Sequence, residues 1–152
     1  MELTTRYDSL CEQLRALLQA EHDPIANMAN MSALLYGALD NINWLGFYRV
    51  SKDELTLGPF QGKPACVHIP FGKGVCGTCA QQKKVINVAD VHAFPTHIAC
   101  DANSRSELVL PIYKNNALYA VLDVDSPRLA RFDSTDEQGF CELVRILEQS
   151  WF

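Results

Sequence analysis

Glu107-Leu108-Val109-Leu110-Pro111-Ile112-Tyr113, Lys114-Asn115-Asn116 and Ala117-Leu118-Tyr119-Ala120-Val121-Leu122-Asp123-Val124-Asp125 read as two strands with a turn between them. Both runs are rich in β-branched, aromatic and apolar residues, and the polar triplet that separates them suits a hairpin connection. Within the second run Asp123 and Asp125 alternate with Leu122 and Val124, so both carboxylates project from one face of the strand. Two acids on a strand face are costly if buried without partners, and the simpler alternative is that this face is solvated.

Upstream, Trp44 to Val50 and Leu55 to Phe60 form a second hairpin around the charged turn Ser51-Lys52-Asp53. Cys66 to Ile69 reads as a short strand, Gly72-Lys73-Gly74 as a turn, Val75 to about Gln82 as a helix, and Val85 to Val88 as another strand. Residues 89 to 105 carry Pro, His, Asp and Asn without a period and read as a long loop of the kind that is usually functional. Helical spacing marks both ends of the chain. Leu10, Leu14, Leu17 and Leu18 make one stripe, and Ile25, Met28, Ala29, Leu34 and Leu35 a second, with His22-Asp23-Pro24 between them. The last helix opens at Asp133 or Ser134 and runs through Phe140, Leu143, Val144 and Leu147. Strands flanked by helices at both ends predict an α+β fold, an antiparallel sheet covered by helices, as one domain over residues 1–152.

The composition narrows the function classes. A net charge of −5 with no run of Lys or Arg argues against nucleic acid and against anionic membranes as partners. No apolar window approaches the roughly 18 residues of a membrane span, and Met1 to Arg6 carries no signal-peptide pattern, so a cytoplasmic location is expected. In that compartment thiols stay reduced, and the six cysteines read as reactive, metal-binding or buried, not as a structural disulfide framework.

Cys66, Cys76 and Cys100 sit on or beside one region rich in Gly and His. Cys100 follows His92 and His97 and precedes Asp101, Asn103, Ser104 and Arg105, a poor place to bury an inert thiol. Cys76-x-x-Cys79 is half of a zinc pattern, with Cys66, His68, His92, His97 and Cys100 as the nearby donors, but no second pair completes it. Cys79 reads as a small apolar filler on its helix, and Cys11 and Cys141 fall on helical stripes where core packing is expected. Gly72-x-Gly74-x-x-Gly77 spells the dinucleotide fingerprint, yet lacks the parallel βαβ unit and the acid about twenty positions on that the motif needs, so the glycines are read as turn and helix-start residues. Trp44 and Tyr48 share a strand face, either core or the wall of a small pocket.

Four phrases carry a resemblance: Gly46-Phe47-Tyr48; Ile69-Pro70-Phe71-Gly72-Lys73-Gly74-Val75-Cys76-Gly77; Val88-Ala89-Asp90-Val91; and Ala120-Val121-Leu122-Asp123-Val124-Asp125-Ser126. Together they resemble a GAF domain, and the cysteines at intervals of ten and twenty-four residues resemble those of the free methionine-(R)-sulfoxide reductases. The resemblance implies a six-stranded antiparallel sheet with helices behind it and a small pocket on the other face. It implies Cys100 as nucleophile and Cys76 and Cys66 as the disulfide-forming thiols, leaving open which of the two recycles Cys100. Glu107, Asp123 and Asp125 would be the carboxylates, and Trp44 and Tyr48 the aromatic wall. The reaction fits these residue types, since a sulfoxide needs an acid at its oxygen and a thiolate at its sulfur. Glu107 or one of the aspartates would be that acid, and the remaining carboxylates would pair with the substrate's ammonium group, favouring free methionine sulfoxide over a peptidyl residue. Thioredoxin is the implied reductant, no metal or organic cofactor is required, and the amphipathic terminal helices offer a surface for a homodimer. The competing expectations are a GAF-type small-molecule or redox sensor without catalysis, and a zinc protein using Cys66, Cys76, Cys79 and Cys100.

Overall fold

A computed structural model of the chain describes residues 3–97 and 102–151. Two helices come first, α1 (Leu3–Leu18) and α2 (Pro24–Ala38). Six strands follow, β1 (Trp44–Ser51), β2 (Glu54–Gly62), β3 (His68–Pro70), β4 (Ile86–Val88), β5 (Ser106–Lys114) and β6 (Ala117–Ser126), with α3 (Gly74–Gln82) between β3 and β4 and α4 (Ser134–Ser150) last. The strands form one sheet in the order β3-β2-β1-β6-β5-β4, and every neighbouring pair is antiparallel. The expected α+β architecture, a six-stranded antiparallel sheet flanked by helices, is the one observed.

Local chemistry explains the elements. The β5–β6 hairpin turns through Asn115 and Asn116 with φ of 54° and 64°, the left-handed pair that its two-residue turn demands. Asp23 caps α2 by accepting from the amides of Ile25 and Ala26, and Pro24 supplies a preset φ at the first helical position. Asp133 caps α4 through a reciprocal box with Asp136. Asp136 also accepts from the Tyr7 hydroxyl at 2.7 Å, pinning α4 to α1.

Three readings shift. Leu17 is 42% exposed, because the buried stripe of α1 is Tyr7, Leu10, Cys11, Leu14 and Leu18 and Leu17 falls on its flank. In α2 Ile25 is exposed and so is Ala29, whereas Asn27 and Ser32 are buried. The Asn27 side-chain nitrogen donates to Glu21 O and Ser150 Oγ, and the Ser32 hydroxyl donates to Met28 O, so both buried donors are satisfied. The third strand begins at His68, not Cys66; Cys66 lies in the irregular approach to it.

The period-two alternation sorts the strands into two faces. Leu45, Phe47, Leu108, Leu110, Ile112, Leu122 and Val124 pack against α1, α2 and α4 in one core. Trp44, Tyr48, Val109 and Val121 face the other way, towards Leu55, Ile69 and the α3 residues Val75, Cys76, Cys79 and Ala80. Glu107, Asp123 and Asp125 share the phase of this second face, and α3 closes over it.

Candidate active site

The glycine triplet sets α3 in place. Gly72 and Gly74 hold left-handed φ of 85° and 65°, and a Cβ on Gly77 would sit 2.5 Å from Pro70 O, so the helix packs backbone to backbone against the end of β3. In an all-antiparallel sheet this is a turn and a helix start, as the sequence predicted, and not a dinucleotide cradle. The Gly74 amide is held by Thr96 O at 2.7 Å and by Thr96 Oγ1, which moors the loop after β4 to the start of α3.

Below α3 lies a pocket of about 540 Å³, counting the part open to solvent. Its floor is the junction of three strands: Glu107 pairs across the ladder with Asp125, Trp44 with Asp125, and Gly46 with Asp123. Trp44 stacks on Tyr48 at 5.9 Å between ring centroids and on Phe60 at 5.2 Å. Trp44 Nε1 donates to Lys63 O, and the Tyr48 hydroxyl donates to Cys66 O at 2.9 Å, so the wall is fixed at both ends. Cys76 projects from α3 with its Sγ 3.8 Å from Glu107 Oε2, a weak thiol donation. Lys73, His97 and Ser104 also line the pocket.

The three carboxyls are not solvated. Glu107, Asp123 and Asp125 are 8%, 6% and 8% exposed, which overturns the simpler reading of this strand face. Burial pushes the Asp123 carboxyl well above the usual range, and the neighbouring Asp125 and Glu107 push the same way. Its carboxyl hydrogen-bonds to both of those groups, and such bonds between acids require a shared proton. Asp123 Oδ1 has no hydrogen-bond partner among the described residues. Burial also raises the Cys76 thiol well above its ordinary value, with Asp123 and Glu107 adding to the effect, so Cys76 is held as a neutral thiol. Tyr48 is raised by burial and by the same acids.

The structure thus brings Trp44, Tyr48, Cys76, Glu107, Asp123 and Asp125 to one pocket, with the Cys66 backbone on its wall. Cys66 is disulfide-bonded, whereas Cys11, Cys76, Cys79 and Cys141 are free thiols. Cys100 lies outside the described residues. Cys79 is fully buried and pushed up to about 12 by burial alone, an apolar filler as expected; Cys11 is buried, while Cys141 is only half-buried against the helical core. Among the described residues the zinc alternative lacks a donor, since Cys66 is in a disulfide, and the candidate donor His68 faces solvent beside Glu54. Among the described residues the group whose donor atoms lie within 4.8 Å of one another is Cys76, Glu107 and Asp123. Sequence reasoning missed Lys73, His97 and Ser104 as lining residues, and Phe60 as the ring that backs Trp44. The β1–β2 register slips between Gly46 and Tyr48, and this bulge carries Phe60 to the pocket face opposite Gly46.

The profile of the GAF domain family matches residues 2–151 of the chain. The free methionine-R-sulfoxide reductase of Escherichia coli is 50% identical over 98% of this chain and 90% of its own length. The solved free methionine-R-sulfoxide reductase of Neisseria meningitidis, in complex with its substrate, superposes with a TM-score of 0.94 at 42% identity, covering 99% of this chain and 91% of that one. The fRMsr of Staphylococcus aureus, also solved in complex with substrate, gives a TM-score of 0.92 at 51% identity over 96% of this chain and 95% of that one.

Proposed function

The chain belongs to the GAF domain family and, within it, to the free methionine-R-sulfoxide reductases, and from that premise we propose that it reduces free L-methionine (R)-sulfoxide to L-methionine by a thiol mechanism. The observation that carries this reading is the buried triad of carboxyls facing Trp44 across a pocket of small-molecule size. A sensor pocket for a neutral ligand has no use for three acids in 8% exposure or less. A site that must both protonate a sulfoxide oxygen and hold an ammonium group needs them all.

In the proposed reaction the Cys100 thiolate attacks the sulfoxide sulfur while a protonated carboxyl donates to the sulfoxide oxygen. Asp123 is the proposed acid, because burial and the neighbouring carboxyls raise its pKa well above the usual carboxyl range and so favour its protonated form. Methionine leaves with the sulfur's lone pair restored, and the oxygen remains on Cys100 as a sulfenic acid. Attack by a second thiol forms a disulfide and releases water. Cys66 is the favoured second thiol, since it is the cysteine in disulfide form while Cys76 remains a free, strongly protonated thiol. A dithiol protein of the thioredoxin type then returns both cysteines to thiols. Trp44, stacked between Tyr48 and Phe60, holds the methylthio end by apolar contact, and the charge of Glu107 and Asp125 reads the free α-ammonium group.

The test is NADPH consumption in a thioredoxin-coupled assay with the free R sulfoxide, the free S sulfoxide and an N-acetylated R sulfoxide. Turnover confined to the free R form is expected. Stoichiometric binding of a ligand without turnover of any of the three would replace the reductase with a sensing module.

A further inference from the structure

We propose that the segment from Lys63 to Val67, together with the lysines that bracket α3, is the docking surface for an acidic dithiol protein that reduces the Cys66 disulfide. The inference rests on the redox role given to Cys66 above, and adds where the reductant binds and by what chemistry it is recognised. The segment is exposed yet held in place. Its backbone is pinned at three carbonyls: Lys63 O accepts from Trp44 Nε1, Cys66 O from the Tyr48 hydroxyl and Val67 O from the Leu57 amide at 2.8 Å. Lys63, Pro64 and Val67 are left to solvent, Val67 at 53%. An apolar side chain beside a disulfide-bonded sulfur, on backbone already ordered, offers a partner contact area with little ordering cost.

Charge selects the partner. From Leu55 to Ala89 the chain carries Lys63, Lys73, Lys83 and Lys84 and no Asp or Glu, although overall 18 acids outnumber 13 Lys and Arg. This stretch builds most of β2 and all of β3, α3 and β4. All four lysines are exposed, and none forms an ion pair among the described residues. Lys73 lines the pocket whereas Lys63, Lys83 and Lys84 do not, so a ligand inside it leaves three of these charges unused. Lys73 and Lys83 bracket the nine residues of α3 and lie about 15 Å apart at the helical rise, a span that a transient redox contact of up to about 1,200 Å² covers. A cationic face on an anionic chain steers an anionic partner to this side. There a thiolate of the partner attacks Cys66 Sγ, the disulfide breaks, and its other sulfur leaves as a thiolate. The partner's second thiol then attacks the mixed disulfide and frees Cys66, so two electrons and two protons pass to the chain and the partner departs as a disulfide.

The experiment follows reduction of the oxidised full chain by stopped flow, with a reduced thioredoxin of net negative charge as one reductant, dithiothreitol as the other, and no sulfoxide present. The thioredoxin rate constant should fall about 10-fold as salt rises from about 0.02 M to about 0.5 M. Lys63→Glu and Val67→Glu should each slow thioredoxin about 5- to 10-fold and Lys84→Glu about 2-fold, while dithiothreitol reduces the parent and all three variants within about 3-fold of one another. No reduction by thioredoxin where dithiothreitol succeeds, a thioredoxin rate indifferent to salt, equal rates for the parent and Lys63→Glu, or an equal loss with both reductants each overturns the surface. The salt dependence of the parent needs no variant, so it decides even where a variant does not fold. Because no arm contains the sulfoxide, a chain that fails as a reductase leaves this result readable, and a failed docking surface leaves turnover driven by dithiothreitol intact.

Discussion

The two faces of this sheet are made from the same strands and differ in almost everything else. On one, Leu108, Leu110, Leu122 and Val124 meet three helices in an apolar core. On the other, one residue further along, Glu107, Asp123 and Asp125 are also buried, under a single short helix. Burial therefore has opposite energetic meaning on the two sides. On the helical face it is the source of stability, about 25 cal/mol for each Å² of apolar surface removed from water. On the pocket face it is a cost, because like charges are crowded together away from solvent. The fold can hold such a site because the helical core, and not the pocket, stabilises the strands that carry it.

Substitutions should separate the two faces. The largest effect is expected at the proposed nucleophile: Cys100→Ser should lower turnover by about 10³-fold or more with little change in melting temperature, as followed by the coupled assay and by calorimetry. Asp123→Asn should come next, with a loss of about 10²- to 10⁴-fold in kcat. Its stability should move the other way. A carboxyl whose pKa is raised on folding stabilises the fold below its unfolded pKa, and that contribution is lost as pH rises through the folded value. The stability advantage of the Asp123→Asn variant over the parent should therefore grow from pH 5 to pH 8; a variant that melts lower than the parent at pH 8 would contradict the cost assigned to this face.

Leu122→Ala, one residue away on the opposite face, should destabilise by about 2–5 kcal/mol in urea unfolding while leaving the KM for substrate unchanged at temperatures where the variant is folded. Trp44→Leu should raise KM by about 10-fold with a smaller effect on kcat, because the proposed apolar contact with the methylthio end would be lost from ground state and transition state alike. The smallest expected change is Cys79→Ala, about 1 kcal/mol of stability and unaltered turnover, which would show that the second cysteine of the Cys76-x-x-Cys79 pair is apolar filler.

Much of this arrangement was legible in the amino-acid sequence, for definite reasons. The hairpin of β5 and β6 announces itself by its alternation and its Asn turn, and the shared phase of Asp123 and Asp125 follows from the period of a strand alone. Whether that face was wet or buried did not follow, because the covering helix α3 is placed by a glycine contact with Pro70 that no periodicity encodes. Phe60 stayed hidden behind the bulge in β1–β2, since the register counted from the Ser51–Glu54 pair points its ring to the opposite face. In α2 the apolar residues are so dense that several phases fit equally well. The buried phase is set by Asn27 and Ser32, whose donors find partners on the backbone and on α4, and a hydrophobic count cannot foresee that.

The hydroxyl of Tyr48 and the carbonyl of Cys66 meet at 2.9 Å. Seen as engineering, that bond is a shared reference point: the pocket wall is bolted to the segment bearing the disulfide-bonded Cys66. Reshaping the wall to admit a bulkier molecule would also shift the sulfur, so under the proposed chemistry binding preference and electron supply would change together. Chains descended from this architecture should therefore change at Tyr48 only in company with the stretch from Pro64 to Val67.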